Sequence, residues 1–572
     1  MQLYEKFVSR RRDDYATLDD LMKNFKVIVS ENFNFSYDCL DVMAAEMPDA
    51  LALLWVGNDQ TEKRFTFSDV ARLSNKCANY LASLGVKRDD RVMLIMTRDW
   101  RYWFTLMALH RLGAIVVPGT HQLTVKDLVY RLNAAEICAL IVTPKFGIPE
   151  VVDNSLKECP SVKYKIVFGS SDGFAVGGAD CPGAVGEWLD FDAGVEAASA
   201  DFPRPEPFNK SGDMMMLAFS SGTTGFPKMV AHDFTYPLGH IFTGCFWHRC
   251  EDGGLHLTIS DTGWLKSLWG KMYSQWLAGC AVFTYDFEKF KASDILSKLE
   301  KYRITSFCAP PTMYRYMIQE DLKKYDLTAL KHCTTAGEAL NPEVYNIWLE
   351  GTGHKIFEGF GQTETTISCG TSFPWMQPRL GSMGLPVPGY RAIIADENGN
   401  EVEAGVTGEI CIRTDEAGGG KPCGLFMGYY KDEELTNAVW RDDLYHTGDT
   451  AYRDELGFLW YVGRTDDIIK SSGYRIGPFE VESALIEHPA VVESAVTAVP
   501  DPIRGFAVKA TVVLAPGYEG SDELTKELQN HVKKLTAPYK YPRIIEYTDS
   551  LPKTISGKIR RVEIREKDMK RA

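Results

Sequence analysis

Long apolar runs are missing from this chain of 572 residues. Its most apolar segment, Phe104 to Pro118, is broken by His110 and Arg111 and falls short of the ~20 residues a membrane-crossing helix needs. No stable membrane insertion is therefore expected. The opening residues, Met1-Gln2-Leu3-Tyr4-Glu5-Lys6, lack the apolar core of a secretory signal, so the expected compartment is cytoplasmic. Paired cysteine spacings are also lacking: the 13 cysteines are scattered and odd in number, which suits reduced thiols rather than a disulfide framework. Cys245, His248, Cys250 and His256 cluster in sequence, but their spacing matches no standard zinc module. Their neighbours Ile241, Phe242, Phe246 and Trp247 predict a packed helix instead. There is no positive excess. A net charge of −14 argues against nonspecific nucleic-acid binding. Internal repeats and low-complexity tracts are absent as well.

What is present is ordinary globular composition, 45% hydrophobic and 24% charged, with enough length for several domains. The distinctive stretch is Leu217-Ala218-Phe219-Ser220-Ser221-Gly222-Thr223-Thr224-Gly225-Phe226-Pro227-Lys228. An apolar lead-in, Met214 to Phe219, predicts a buried strand. The loop after it has glycines that let backbone N–H groups converge on an anion. Ser220, Ser221, Thr223 and Thr224 add hydroxyl donors, and Lys228 adds a charge suited to phosphate oxygens. Gly225 is followed by Phe-Pro-Lys rather than Lys-Ser/Thr, so this is not a Walker loop.

Before that loop the pattern alternates. Ser68 is expected to cap a helix with apolar positions Val70, Leu73, Cys77, Leu81 and Leu84, closed by Gly85. A strand is expected over 91–96, a helix over 103–112, a strand over 114–117, and further helix–strand alternation through Val142. That rhythm implies a parallel, helix-covered sheet. After the loop, Asp261-Thr262-Gly263-Trp264, Thr334-Thr335-Ala336-Gly337-Glu338 and Ile356-Phe357-Glu358-Gly359-Phe360-Gly361-Gln362-Thr363-Glu364 each read as strand-to-loop transitions. Ligands of open α/β sheets gather at such carboxyl ends. From Arg391 short strands and turns take over, and after Asp467 an α+β pattern with a Lys- and Arg-rich tail follows. The expected fold class is α/β. Residues 1–465 are expected to form a large N-terminal domain of helix-covered sheets, with a β-rich subdomain over 390–465, and residues 466–572 a small α+β domain.

With the phosphate loop, Gly361-Gln362-Thr363-Glu364, Tyr445-His446-Thr447-Gly448-Asp449, Gly463-Arg464-Thr465-Asp466 and Leu551-Pro552-Lys553-Thr554-Ile555-Ser556-Gly557-Lys558 in this order, the chain resembles the adenylate-forming superfamily. That group holds acyl-CoA synthetases, peptide adenylation domains and firefly-type luciferases. Asp261-Thr262-Gly263-Trp264, Pro118-Gly119-Thr120 and Ala537-Pro538-Tyr539-Lys540-Tyr541-Pro542-Arg543 look like its medium-chain acyl-CoA and benzoate-CoA branch. The resemblance implies ATP, Mg²⁺ and coenzyme A: a carboxylate joins the α-phosphate of ATP, pyrophosphate leaves, and the acyl group passes to the CoA thiol. It assigns catalysis to Lys558, Lys228 and Thr223. The nucleotide falls to Ser220, Ser221, Gly222, Thr223, Thr224, Gly225, Lys228, Gly337, Glu338, Glu358, Gly359, Phe360, Gly361, Gln362, Thr363, Asp449, Arg464 and Arg475. Glu364 is the implied Mg²⁺ carboxylate, Asp466 the implied hinge, and Gly473, Lys540 and Arg543 the implied CoA contacts.

Acetate-specific relatives place a Trp where this chain has Gly361. Removing an indole frees the space of a side chain that buries up to ~250 Å², so an acyl pocket walled by Trp264 and opened at Gly361 is expected. The implied substrate is a medium-chain, branched or aromatic monocarboxylic acid, and the alternative is an acyl-adenylate ligase that loads a carrier protein. Homo-oligomer formation, and acetylation and deacetylation of Lys558, which would remove the charge the residue needs, complete the expectations.

Overall fold

The computed structural model describes residues 2–169, 187–206, 208–220, 227–338, 340–372, 374–415, 420–472, 474–553 and 559–569, with Arg475 by its backbone alone. Ser221, Gly222, Thr223, Thr224, Gly225, Gly473 and Lys558 lie outside the described residues.

Three sheets organise the chain. The first has eight strands, and its centre is the parallel run expected from the helix–strand rhythm: Arg91–Ile95, Ile115–Pro118, Ile137–Val142 and Tyr164–Val167. Each is an almost continuous apolar run, as strands covered on both faces require. The lead-in strand extends to Met214–Ser220 and joins this sheet parallel to Ile115–Pro118. Its partner on the other side is antiparallel. Lys228–Asp233 pairs with it, with Ser220 opposite Lys228, so the two strands that flank the phosphate loop form an antiparallel hairpin.

The second sheet has 14 strands and runs from Glu62–Thr66 at one edge to Ala392–Ala395 at the other. Strands His332–Ala336 and Ile356–Gly361 lie parallel near its middle, and Leu444–Arg453 and Leu459–Arg464 lie antiparallel in its β-rich part. The third sheet is a separate C-terminal one of five strands, built on the pair Val491–Asp501 and Gly505–Leu514, with its own apolar core around Val481, Leu485, Val496 and Leu528.

Local chemistry sets the helix ends. Helix Phe67–Ser83 is capped by Thr66 rather than Ser68: the Thr66 hydroxyl accepts from Asp69 N at 3.2 Å, and the Asp69 carboxylate accepts from Thr66 N at 3.2 Å. This reciprocal box satisfies two end groups at once. Ser521 caps helix Asp522–Leu535 in the simpler one-sided way. Cys245, His248, Cys250 and His256 are packed in the interior. His256 bonds Ser306 and Thr258, His248 bonds Thr334, and all four residues are buried. Among the described residues these side chains form no metal-binding group.

Candidate active site

The hairpin brings Lys228 to the edge of the eight-stranded sheet, where one more short strand, Gly428–Tyr429, pairs with it. The Lys228 ammonium lies 5.1 Å from the centroid of the Tyr429 ring. The Tyr429 hydroxyl donates to Glu364 Oε1 at 2.9 Å. Glu364 is buried and makes no ion pair among the described residues. Just before it, the Thr363 carbonyl accepts from His232 Nε2 at 2.7 Å. Burial pushes His232 down to about 3, so the ring is neutral and serves as a fixed donor from the hairpin. The segment after strand Ile356–Gly361 is thereby tied to the phosphate hairpin of the other sheet.

Gln362 makes the link to the β-rich part. Its Nε2 donates to the Thr447 carbonyl at 2.8 Å and to the Asp449 carboxylate, while its Oε1 accepts from the Tyr445 hydroxyl at 2.7 Å. Asp449 is also held by the Tyr461 hydroxyl at 3.1 Å and by Arg464 Nη1 at 3.3 Å. Asp449 and Arg464 are direct partners across antiparallel strands. Burial lowers the Arg464 guanidinium, but Asp449 and other acidic neighbours hold it above its ordinary value overall. The ring of Phe360, half-buried, lies 6.5 Å from that of Tyr461.

Other expected nucleotide residues sit differently. The Glu358 carboxyl is buried and accepts from Leu340 N at 2.9 Å. Burial pushes it up to about 8, against weaker lowering by backbone N–H groups of Leu340 and Gly381, so it fixes the loop after strand His332–Ala336. Gly337, at φ 101°, and Glu338 are exposed in that loop, and Glu338 accepts from the Thr312 hydroxyl at 2.9 Å. Gly359 faces the core, where a Cβ would lie 2.7 Å from Trp247.

At the acyl side, Gly263 packs so closely on Gly119 and Thr120 that a Cβ would lie 2.5 Å from Thr120 N. This seats the half-buried Trp264 beside the end of the eight-stranded sheet. Gly361 differs from the open position expected. A Cβ there would come within 2.3 Å of the Thr366 carbonyl oxygen and 2.5 Å of Trp269 Cη2. The missing side chain is taken up by Trp269, which is buried against Tyr236 and His240. Sequence reasoning missed Trp269 and Tyr429; the available signal for Trp269 was its place five residues after Trp264, about one and a half helical turns on.

The expected CoA residues lie on the C-terminal unit. Lys540 pairs with Glu480 at 2.6 Å, and Arg543 stacks over Tyr541 at 4.2 Å. Asp466 is exposed, 3.8 Å from Arg464 Nε. Next to it, Asp467 pairs with Arg561 and Arg565 of helix Arg561–Met569. The structure thus joins Lys228, Gln362, Thr363, Glu364, Asp449 and Arg464 into one network, and leaves Lys540, Arg543 and the backbone of Arg475 apart from it.

A second titratable group, Glu409, Cys411 and His446, lies behind Asp449. Glu409 accepts from Gly448 N at 2.8 Å and bonds His446 Nδ1 at 2.9 Å. Arg441 reaches the same His446 nitrogen at 3.1 Å. A guanidinium at that position opposes a cation, and the group instead braces the loop that carries Asp449.

Residues 40–430 match the model of the AMP-binding enzyme family, and residues 480–558 match that of the AMP-binding enzyme C-terminal domain. The chain is 40% identical over 577 aligned residues to the acyl-coenzyme A synthetase ACSM3, mitochondrial, of Mus musculus, covering 99% of this chain and 96% of that protein. Among solved structures it is similar to the anthranilate CoA ligase AuaEII in complex with anthranoyl-AMP, with a TM-score of 0.83, 27% identity, and coverage of 95% of this chain and 98% of that one. It is also similar to an acyl-CoA synthetase of Brucella canis, with a TM-score of 0.72, 31% identity, and coverage of 97% and 99%.

Proposed function

Because the chain belongs to the AMP-binding enzymes and matches both parts of that family, we propose that it is an ATP-dependent acyl-CoA synthetase, forming an acyl-adenylate and then a CoA thioester with release of AMP and pyrophosphate. The observation that carries this reading is the convergence of Lys228, Glu364, Gln362, Asp449 and Arg464 across two sheets: Lys228 lies over the Tyr429 ring whose hydroxyl donates to Glu364, His232 ties the Thr363 carbonyl to the hairpin, and Gln362 and Arg464 both donate to Asp449. A phosphate-directed ammonium, an acceptor-only carboxylate and an acid–guanidinium pair suited to ribose hydroxyls are the groups adenylation needs at one place.

In the first step two anions approach, the acid's carboxylate and the α-phosphate. Lys228, at the base of the hairpin tip, offsets charge on the outer phosphates. Asp449, held by Arg464, accepts from ribose hydroxyls. Glu364 fits a divalent cation: it is a buried carboxylate whose one partner among the described residues is a neutral hydroxyl, and a buried charge needs pairing. Glu364 would hold Mg²⁺, which when bound neutralises phosphate charge. Lys558 would bridge the carboxylate and phosphate from the C-terminal unit. In the second step Gly473, Lys540 and Arg543 would meet CoA after rotation about Asp466.

The acid is a medium-chain, branched or aromatic monocarboxylate lying against Trp264 and Trp269. As Trp269 fills the space at Gly361, compact branched or single-ring acids suit the pocket better than long linear ones. AMP release measured over propionate, butyrate, 2-methylbutyrate, hexanoate and benzoate, with and without CoA, tests the reading. CoA-independent turnover would favour loading of a carrier protein, and an outright preference for acetate would remove the pocket argument. Lys558→Ala is expected to lose acyl-adenylate formation and keep thioester formation from supplied acyl-adenylate; equal loss of both would sink that role.

No helix among the described residues is long and apolar enough to cross a membrane. The mouse relative carries a mitochondrial name, against the cytoplasmic expectation, and imaging of the tagged chain decides between the compartments. Self-association and acetylation of Lys558 remain to be tested by light scattering and mass spectrometry.

A further inference from the structure

Tyr429 touches both charged ends of the proposed phosphate site, and nothing in its sequence context singled it out. It is 6% exposed. Its backbone belongs to the edge strand that extends the phosphate hairpin, with Gly428 opposite Ala231 and Tyr429 opposite Val230. Flanking bonds complete the attachment, from Met427 N to the Ala231 carbonyl at 2.7 Å and from Tyr430 N to the Met229 carbonyl at 2.8 Å. The same segment grips the Glu364 loop, because Phe426 N donates to the Glu364 carbonyl at 2.8 Å. Thr436 Oγ1 accepts from Tyr429 N at 2.9 Å, and the ring of Phe426 packs edge-on at 5.1 Å. The phenol is therefore fixed at both its backbone and its ring before its hydroxyl reaches Glu364 Oε1 at 2.9 Å.

The groups facing that hydroxyl define its protonation. Glu364 and Tyr445 lie on one side, Lys228 lies over the ring, and Arg464 lies beyond. A carboxylate can only accept, so the phenol O–H is the donor in this bond. One Glu364 oxygen is thus committed to Tyr429, and the other makes no hydrogen bond among the described residues. A hydrogen bond to a charged acceptor orients it as well as stabilising it, and a metal ligand set depends on such orienting partners.

We propose that Tyr429 is a positioning residue for adenylation: its hydroxyl aims the Glu364 carboxylate at the divalent cation, and its ring seats the Lys228 ammonium against the same edge strand. The cation side and the phosphate side of the site are then held in register by one side chain. The inference rests on the reading of Glu364 as the metal carboxylate.

The test uses the full chain and the isosteric variant Tyr429→Phe, which keeps the ring under Lys228 and removes one oxygen. Pyrophosphate exchange, titrated with Mg²⁺, should need on the order of ten-fold more metal for half-maximal rate, in keeping with loss of one charge-assisted hydrogen bond. Mn²⁺ binding to the ATP complex, followed by electron paramagnetic resonance, should weaken by a similar factor. ATP binding without metal, thioester formation from supplied acyl-adenylate and the unfolding temperature should stay near wild type, which a merely structural role would not produce. Glu364→Gln provides the cycle: in that background Tyr429→Phe should cause no further shift in metal dependence. A Glu364→Gln variant with normal metal dependence removes the underlying metal reading and this proposal with it. A shifted Glu364→Gln beside an unshifted Tyr429→Phe, or additive shifts in the double variant, overturns the positioning role alone. If Tyr429→Phe does not fold, Mn²⁺ binding to Glu364→Gln and Glu364→Asp settles the matter: Asp, too short to reach the hydroxyl, should bind metal about ten-fold more weakly than wild type, and undiminished binding overturns the proposal.

Discussion

Glu358 carries a proton cost that should be visible in stability. Its carboxyl is pushed up to about 8 from 4.5 by burial. Between those values the folded chain holds a proton that the unfolded chain has released, so its contribution is most favourable below pH ~4.5 and is lost as pH rises toward ~8. The slope is up to ~1.4 kcal/mol per pH unit. Glu358→Gln keeps an acceptor for Leu340 N and removes the titration, so the drop in unfolding temperature from pH 5 to pH 8 should shrink relative to wild type. An equal drop in both proteins would count against a buried, titrating Glu358. Trp269 acts at the same scale. Trp269→Ala empties the space beside Gly361 at a cost of ~3–5 kcal/mol in stability. It should also favour longer acids, by about 0.8 kcal/mol for each added methylene that becomes buried. The hexanoate-to-butyrate ratio of kcat/KM checks it. An unchanged ratio would place Trp269 outside the acyl pocket.

At the scale of elements, the site depends on strand pairing more than on any one loop. Strands Leu444–Arg453 and Leu459–Arg464 place Asp449 and Arg464 opposite one another, with Gly448 just before the pair. Gly448 has φ 70°, and a Cβ there would lie 2.7 Å from Arg464 Nη2. A side chain is strained at that φ, by about 1–3 kcal/mol, and it also displaces the guanidinium. Gly448→Ala should raise KM for ATP by roughly ten-fold and leave KM for the acid within two-fold. Isothermal titration with ATP checks this, and unchanged ATP affinity would separate the Asp449–Arg464 pair from nucleotide binding. The phosphate hairpin follows the same logic. Its strands are fixed by the register of Ser220 against Lys228 and by the added strand at Tyr429, and His232 couples them to Thr363.

At the scale of the molecule, two bodies of unlike build meet near Asp466. The large part holds the nucleotide network, and the smaller one has its own sheet and core. Within the smaller body, ion pairs hold the start of its chain to its last helix: Arg561 pairs with Glu482 at 2.6 Å, and Asp467 pairs with Arg561 and Arg565. Asp466 itself is exposed, and among the described residues its carboxylate makes only the long contact to Arg464, which suits a residue that absorbs a change in backbone angles. Asp466→Pro, which fixes φ, should slow one half-reaction at least ten-fold and spare the other, as read by pyrophosphate exchange and by thioester formation from acyl-adenylate. Equal rates in both halves would count against the hinge.

The sequence by itself determined the class of fold and the chemistry. Apolar runs separated by amphipathic helices allow little but a covered parallel sheet, and motifs such as Gly361-Gln362-Thr363-Glu364 specify local backbone and donor types without reference to distant residues. The strand into the phosphate loop was legible for the same reason, whereas the cap of helix Phe67–Ser83 falls on Thr66 rather than the expected Ser68. Only the tertiary structure decided what stands against what. That the strands flanking the phosphate loop pair antiparallel, that Trp269 occupies the space beside Gly361, that the Glu358 carboxyl serves a loop rather than standing free, and that Tyr429 meets Glu364 all follow from pairings between residues as many as 92 positions apart. Such contacts are set by sheet order and close packing, and no period or short motif encodes them.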